Sequence, residues 1–197
     1  MADVPTQANA PLPRAERSLA EAAGALTALR AMPAAVPFID SAGQLLLNVT
    51  ALGKKIMICG NGGSACDANH FAEELTGRFR LDRAPVAAMA CTDVGHITCT
   101  ANDFGYEHVF ARWVTALGSS GDALIVLSTS GNSPSITRAL QAARDRGMRT
   151  IALLGKTGGA TSGMAEVEFL VPGNGSDRIQ ELHMLILHIW CEFFEPA

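Results

Sequence analysis

The chain has 197 residues, 48% of them hydrophobic and 17% charged, and a formal net charge of −4. That apolar content is enough for one sizeable core and excludes a disordered chain. A net acidic chain without a long basic run lacks the cationic surface of a non-specific nucleic-acid binder, although Arg78, Arg80 and Arg83 lie close together.

Residues 1–13, with Pro5, Pro11 and Pro13 among small polar residues, read as a disordered tail, and residues 14–197 as a single domain. Nothing there has the basic-then-apolar order of a signal peptide, and the apolar stretches of the chain are too short to cross a bilayer. Leu19, Ala22, Ala23, Leu26 and Leu29 recur at helical spacing, which predicts a helix from Arg14 to Met32. A second helix is expected from Phe38 to Ala51, stopped by Gly53; together the two form an N-terminal helical appendage.

The pattern then changes to short apolar runs bounded by glycines. Ile56–Cys59, Pro85–Cys91, Ala123–Leu127, Thr150–Leu154 and Val167–Val171 read as buried strands. Helices are expected between them at Ser64–Thr76, Ile97–Asn102, Val109–Leu117 and Pro134–Arg146, with a last one at Asp177–Phe194. Strands alternating with helices predict an α/β fold, a parallel sheet covered on both faces. The five cysteines, Cys59, Cys66, Cys91, Cys99 and Cys191, form no C-x-x-C pair and are odd in number. They argue for buried reduced thiols in the cytoplasm rather than a disulfide framework or a cysteine zinc site.

In such sheets ligands bind beyond the C-terminal strand ends, where helix N-termini point into the crevice. Two strand ends here suit a ligand. Gly60-Asn61-Gly62-Gly63-Ser64 lets backbone approach closely, with Ser64 placed to cap the next helix. Ser128-Thr129-Ser130-Gly131-Asn132-Ser133-Pro134 sets four hydroxyls around a glycine ahead of a helix, which suits a phosphate; without a P-loop lysine it is no nucleotide-triphosphate loop. His70 and Glu74, four apart on one helix, share a face and can bind a metal together or divide as ligand and base. On the last helix, Gln180 and His188 are about 12 Å apart along the axis. They serve one ion only if the helix is interrupted or two subunits contribute. His183, on a mostly apolar helix, reads as structural.

These motifs, with Asp67, His70-Phe71-Ala72-Glu73-Glu74-Leu75-Thr76-Gly77-Arg78, Asn102-Asp103-Phe104-Gly105 and Asp177-Arg178-Ile179-Gln180-Glu181 in the same order, resemble the signature of bacterial phosphoheptose isomerases. The resemblance covers about residues 40–195; Gly95 departs from it, standing where the pattern carries serine. It implies the sugar isomerase (SIS) fold, a five-stranded parallel sheet in three layers with the N-terminal helices added. It implies that Ser128, Thr129, Ser130 and Ser133 hold the phosphate, and that Asn61, Gly62, Gly63, Ser64, Asn102, Asp103 and Gln180 line the sugar site. It further implies one zinc per subunit at His70, Glu74, Gln180 and His188, with Glu74 as general base and His188 as general acid. The implied protein is a cytoplasmic homotetramer with active sites at subunit interfaces, acting on sedoheptulose 7-phosphate in the synthesis of heptose precursors such as those of lipopolysaccharide.

The rival expectation is a non-catalytic SIS protein that binds the replication initiator DnaA; such relatives lose the acid and base that Glu74 and His188 supply here. A sugar-phosphate-sensing transcription regulator would need a DNA-binding segment, and residues 1–40 carry no basic helix-turn-helix pattern.

Overall fold

A computed structural model describes residues 13–196; the expected N-terminal tail lies, but for Pro13, outside the described residues. The elements run α1 Arg14–Ala31, α2 Ala35–Ala51, β1 Ile56–Gly60, α3 Gly63–Thr76, β2 Ala88–Ala90, α4 Val94–Phe104 and α5 Val109–Leu117. They continue with β3 Ala123–Ser128, α6 Pro134–Asp145, β4 Arg149–Leu154, β5 Val167–Leu170 and α7 Ser176–Glu192. Short 3-10 turns stand at Tyr106–His108 and Gly159–Thr161.

All strand pairs are parallel, in the order β2-β1-β3-β4-β5. Every residue of β1 and β3 is buried, as expected of central strands covered on both faces. Alternate side chains feed two cores. Ile56, Ile58, Ile125, Leu127, Ile151 and Leu153 pack with α2, α3 and α7, while Met57, Cys59, Leu124, Val126, Ala152 and Leu154 pack with α5 and α6.

Three expectations change. First, α2 starts three residues earlier than Phe38, because Pro37 falls in its first turn, where a missing N–H costs no helical hydrogen bond. Second, α2 is no appendage: Phe38, Ile39, Ala42, Leu46 and Val49 are core, and the Trp190 indole N–H donates to the Ile39 carbonyl at 3.0 Å. Only α1 fits that description, with Leu29 its one buried residue. Third, the strand expected over Pro85–Cys91 shrinks to Ala88–Ala90 at the sheet edge, since the Val86 amide donates to the Leu75 carbonyl of α3 instead of pairing with β1.

The cysteines are all free, but Cys66 and Cys99 are exposed rather than buried. Of the three arginines after α3, Arg80 pairs with Glu192 at 2.8 Å, and the Arg83 side chain lies buried beside Glu195 at 3.4 Å. Among the described residues no single helix is long and apolar enough to cross a membrane.

Candidate active site

The chain leaves β1 toward β2 and leaves β3 in the opposite direction, toward β4, so the crevice between β1 and β3 is the topological switch point of the sheet. Both motif loops sit there. The Asn61 amide nitrogen reaches across and donates to Ser135 Oγ at 3.0 Å, joining the glycine loop to the head of α6. Thr129 Oγ1 donates to Ser176 Oγ at 3.2 Å, joining the hydroxyl loop to the head of α7. The first turns of α3, α6 and α7 thus gather around one opening, and their unsatisfied N–H groups and positive dipole ends favour an anion.

The hydroxyl loop is held rigidly. Ser128, buried, accepts from the Gly131 amide at 3.0 Å, and Ser130 Oγ accepts from the Asn132 amide at 3.3 Å. The Gly131 carbonyl takes both the amide and the hydroxyl of Thr161, at 2.9 and 2.7 Å. Gly131 has φ +65°, and a Cβ there would run into the Gly158 carbonyl, so glycine is required. Ser133 precedes Pro134 at the first position of α6 and spends no side-chain hydrogen bond on capping, which leaves its hydroxyl for a ligand. Ser64, expected as a cap, is instead the second residue of α3 and is buried, with Gly62 at the cap position.

The second part of the site lies between α3 and α7, which pack together. Their facing stripes bring His70, Glu74 and His188 together, one ligating atom from each within 4.8 Å of the others. His70 Nε2 stands 3.1 Å from Glu74 Oε1, and the two imidazole rings meet edge to face with centroids 5.0 Å apart. Phe79 also lies against His188, centroids 5.5 Å apart. Burial, reinforced by nearby His70, lowers the His188 pKa and favours its neutral ring. His188 Nε2 is buried with no hydrogen-bond partner. Two imidazoles, a carboxylate and an orphaned ring nitrogen make a donor set that fits a zinc-type cation.

Gln180 does not join them. Its amide lies against Gly63 at the head of the helix pair, where a Cβ on Gly63 would stand 2.6 Å from Nε2. His183 is fully buried with Nε2 3.3 Å from the Leu154 carbonyl, the structural role expected of it. Asn102 and Asp103 are exposed on α4, where Asn102 donates to Asp103 at 2.7 Å; among the described residues no hydrogen bond ties either to the loops.

Three neighbours of the site were given no site role from sequence, Asp67 being named only among the residues of the resemblance. The Tyr106 hydroxyl donates to Asn61 Oδ1 at 2.8 Å. The Arg83 guanidinium donates to the Glu74 and Leu75 carbonyls at 2.7 and 2.9 Å, which holds the end of α3. Asp67, on the stripe that runs from Gly63 to His70 and Glu74, has its carboxyl pushed up to about 6 by burial, and Oδ2 has no partner. The last had a sequence signal, since it falls one turn before His70; Tyr106 and Arg83 act through contacts that no local spacing encodes.

A SIS domain family model matches residues 20–155. The phosphoheptose isomerase of Fusobacterium nucleatum is 51% identical over 156 residues, covering 79% of this chain and 80% of its own. That of Proteus mirabilis is 49% identical over 178 residues, 90% of this chain and 93% of its own. The structure of a phosphoheptose isomerase from Neisseria gonorrhoeae superposes with a TM-score of 0.85 at 40% identity, covering 91% of this chain and 95% of that one. These likenesses favour the isomerase over the DnaA-binding alternative. On the matched motifs, the matched fold and this identity over most of its length, the chain belongs to the phosphoheptose isomerases of the SIS-domain family.

Proposed function

We infer that this chain is an aldose–ketose isomerase that interconverts sedoheptulose 7-phosphate and D-glycero-D-manno-heptose 7-phosphate through an enediol. The observation that carries the reading is the convergence of His70, Glu74 and His188 from α3 and α7, the latter joined at its head to the hydroxyl-lined strand end.

Isomerisation moves one proton between adjacent carbons and another between their oxygens. Glu74, partly buried and hydrogen-bonded to His70, is the base that takes the carbon-bound proton and returns it to the neighbouring carbon. His188, kept neutral by burial, both accepts and gives a proton and so carries the hydroxyl proton between the two oxygens. His70, Glu74 and His188 would hold a zinc ion, which when bound supplies Lewis-acid polarisation of the carbonyl oxygen. Ser128, Thr129, Ser130 and Ser133, with the α6 and α7 termini, hold the phosphate, and Asn61, Gly62, Gly63, Ser64, Asn102 and Asp103 line the path of the sugar. Gln180, at the far end of its own helix pair, completes a metal set with His70, Glu74 and His188 only if a second copy of the chain supplies it. That reading places the sites at subunit interfaces, as in the homotetramer that the family resemblance implies. The five free thiols support a cytoplasmic location.

The test is proton NMR of the purified protein with sedoheptulose 7-phosphate in heavy water. Anomeric signals of an aldoheptose phosphate with deuterium at C2 are expected, and Glu74→Gln abolishes them while substrate still binds. A folded wild-type protein that leaves the substrate unchanged overturns the reading.

A further inference from the structure

Tyr106 is the chain's one tyrosine. It opens the 3-10 turn between α4 and α5, with its ring half exposed. The ring does not fill a core; instead its hydroxyl donates to Asn61 Oδ1 at 2.8 Å. Asn61 in turn donates through Nδ2 to Ser135 Oγ at 3.0 Å, and Ser135 is buried at the head of α6. One continuous hydrogen-bonded chain therefore ties the α4–α5 connection to the loop after β1 and to the first turn of α6, directly after the hydroxyl loop. The three segments wall a pocket of about 410 Å³ lined by Tyr106, Asn61, Ser130, Asn132 and Ser133.

The chemistry of an amide limits what this arrangement can do. A primary amide has two N–H donors and one carbonyl oxygen. With one lone pair of Oδ1 taken by the phenol and one N–H spent on Ser135, Asn61 has a single N–H left to donate to a ligand. The phenol is a better donor than acceptor, and by donating it selects the amide orientation in which nitrogen, not oxygen, faces Ser135. Without it the Asn61 side chain is held at one end only and can rotate.

We propose that Tyr106 is a positioning residue of the isomerase site, which fixes the Asn61 amide as a one-hydrogen donor to a substrate oxygen and keeps the glycine loop in register with the hydroxyl loop. This rests on the isomerase function above. Tyr106 itself takes no part in proton transfer, since its hydroxyl is committed to Asn61.

The test is Tyr106→Phe, which keeps the ring and removes only the donor. For one hydrogen bond lost in positioning a ligand, KM for sedoheptulose 7-phosphate rises about tenfold while kcat stays within about twofold. Melting temperature and the pH profile of kcat are unchanged. Calorimetric binding of sedoheptulose 7-phosphate is then measured in a Glu74→Gln background for Tyr106→Phe, Asn61→Ala and the double variant. If Tyr106 acts through Asn61, its effect vanishes once Asn61 is alanine. A KM within twofold of wild type, or independent effects that multiply in the double variant, overturns the proposal. A wild-type protein that binds the heptulose phosphate but does not isomerise it would sink the underlying function and leave the binding cycle to judge Tyr106 on its own.

Discussion

Gln180 and His188 stand at opposite ends of the α3–α7 pair. Gln180 lies against Gly63 at the head of α3, and His188 meets His70 two turns further on.

Gly63 is the residue that makes room for Gln180. Gly63 is the first residue of α3 and its φ lies outside the left-handed region, so alanine fits the backbone there without strain. The new methyl group would sit where the Gln180 amide now is. Gly63→Ala is expected to leave the melting temperature unchanged or raised while kcat/KM falls about tenfold or more, the loss expected when a polar ligand-binding group is displaced. Thermal unfolding and steady-state kinetics on the same preparation separate the two effects.

His70, Glu74 and His188 bring three donors to one point, and removal of bound metal is expected to remove turnover. Dialysis against a chelator should lower activity at least tenfold, on the order seen when metal sites are perturbed, and added zinc should restore it. Elemental analysis should find close to one zinc per chain in the wild type and a clear deficit in His70→Gln. Full activity of metal-free protein would leave Glu74 and His188 to work without the ion.

Arg83 and Glu195 have side chains only 6% and 9% exposed, and Arg83 also satisfies the carbonyls of Glu74 and Leu75. Arg83→Met strands a buried carboxylate and leaves the Glu74 carbonyl without its guanidinium donor, while the Leu75 carbonyl keeps the Val86 amide, and is expected to cost about 3–5 kcal/mol. Glu195→Gln should cost less, because the amide still accepts from the Leu81 amide that Glu195 now binds. The double variant should be less destabilised than the two costs added together, which urea unfolding of the four proteins would show.

Burial lowers the His183 pKa to about 4, from an ordinary value of 6.5. Between those values the unfolded chain binds a proton that the folded chain does not, so stability is lost as pH falls through this window. From pH 7 to pH 5 this amounts to about 2 kcal/mol. Asp67 acts in the opposite sense, keeping a proton in the folded state up to about 6, but it is only half buried and its effect is smaller. His183→Leu is expected to be less stable at pH 7 and to show a weaker loss on acidification than wild type. Equal slopes for the two proteins would show that the His183 ring is protonated in the folded state.

Much of the architecture was legible before the fold was seen. The buried runs Ile56–Cys59 and Ala123–Leu127 stand where β1 and β3 form, because a strand covered on both faces must be apolar throughout. Glycine loops, hydroxyls and Pro134 marked the two strand ends by composition alone. Strand β2 was overestimated, because a single backbone bond from Val86 to Leu75 takes the chain away from the sheet. The role of α2 was misjudged because an amphipathic helix declares that it has an apolar face but not what covers it.

The pairing of His70 with Glu74 follows from helical periodicity, which the backbone imposes on any sequence and which can be read residue by residue. The arrival of His188 beside them, the retreat of Gln180 to Gly63 and the bridge from Tyr106 through Asn61 to Ser135 do not follow from any local pattern. They depend on how α3 and α7 slide against each other and how two loops meet at the switch point. Those registers are set by the close packing of whole core faces, a sum over many side chains in which no single residue carries the answer.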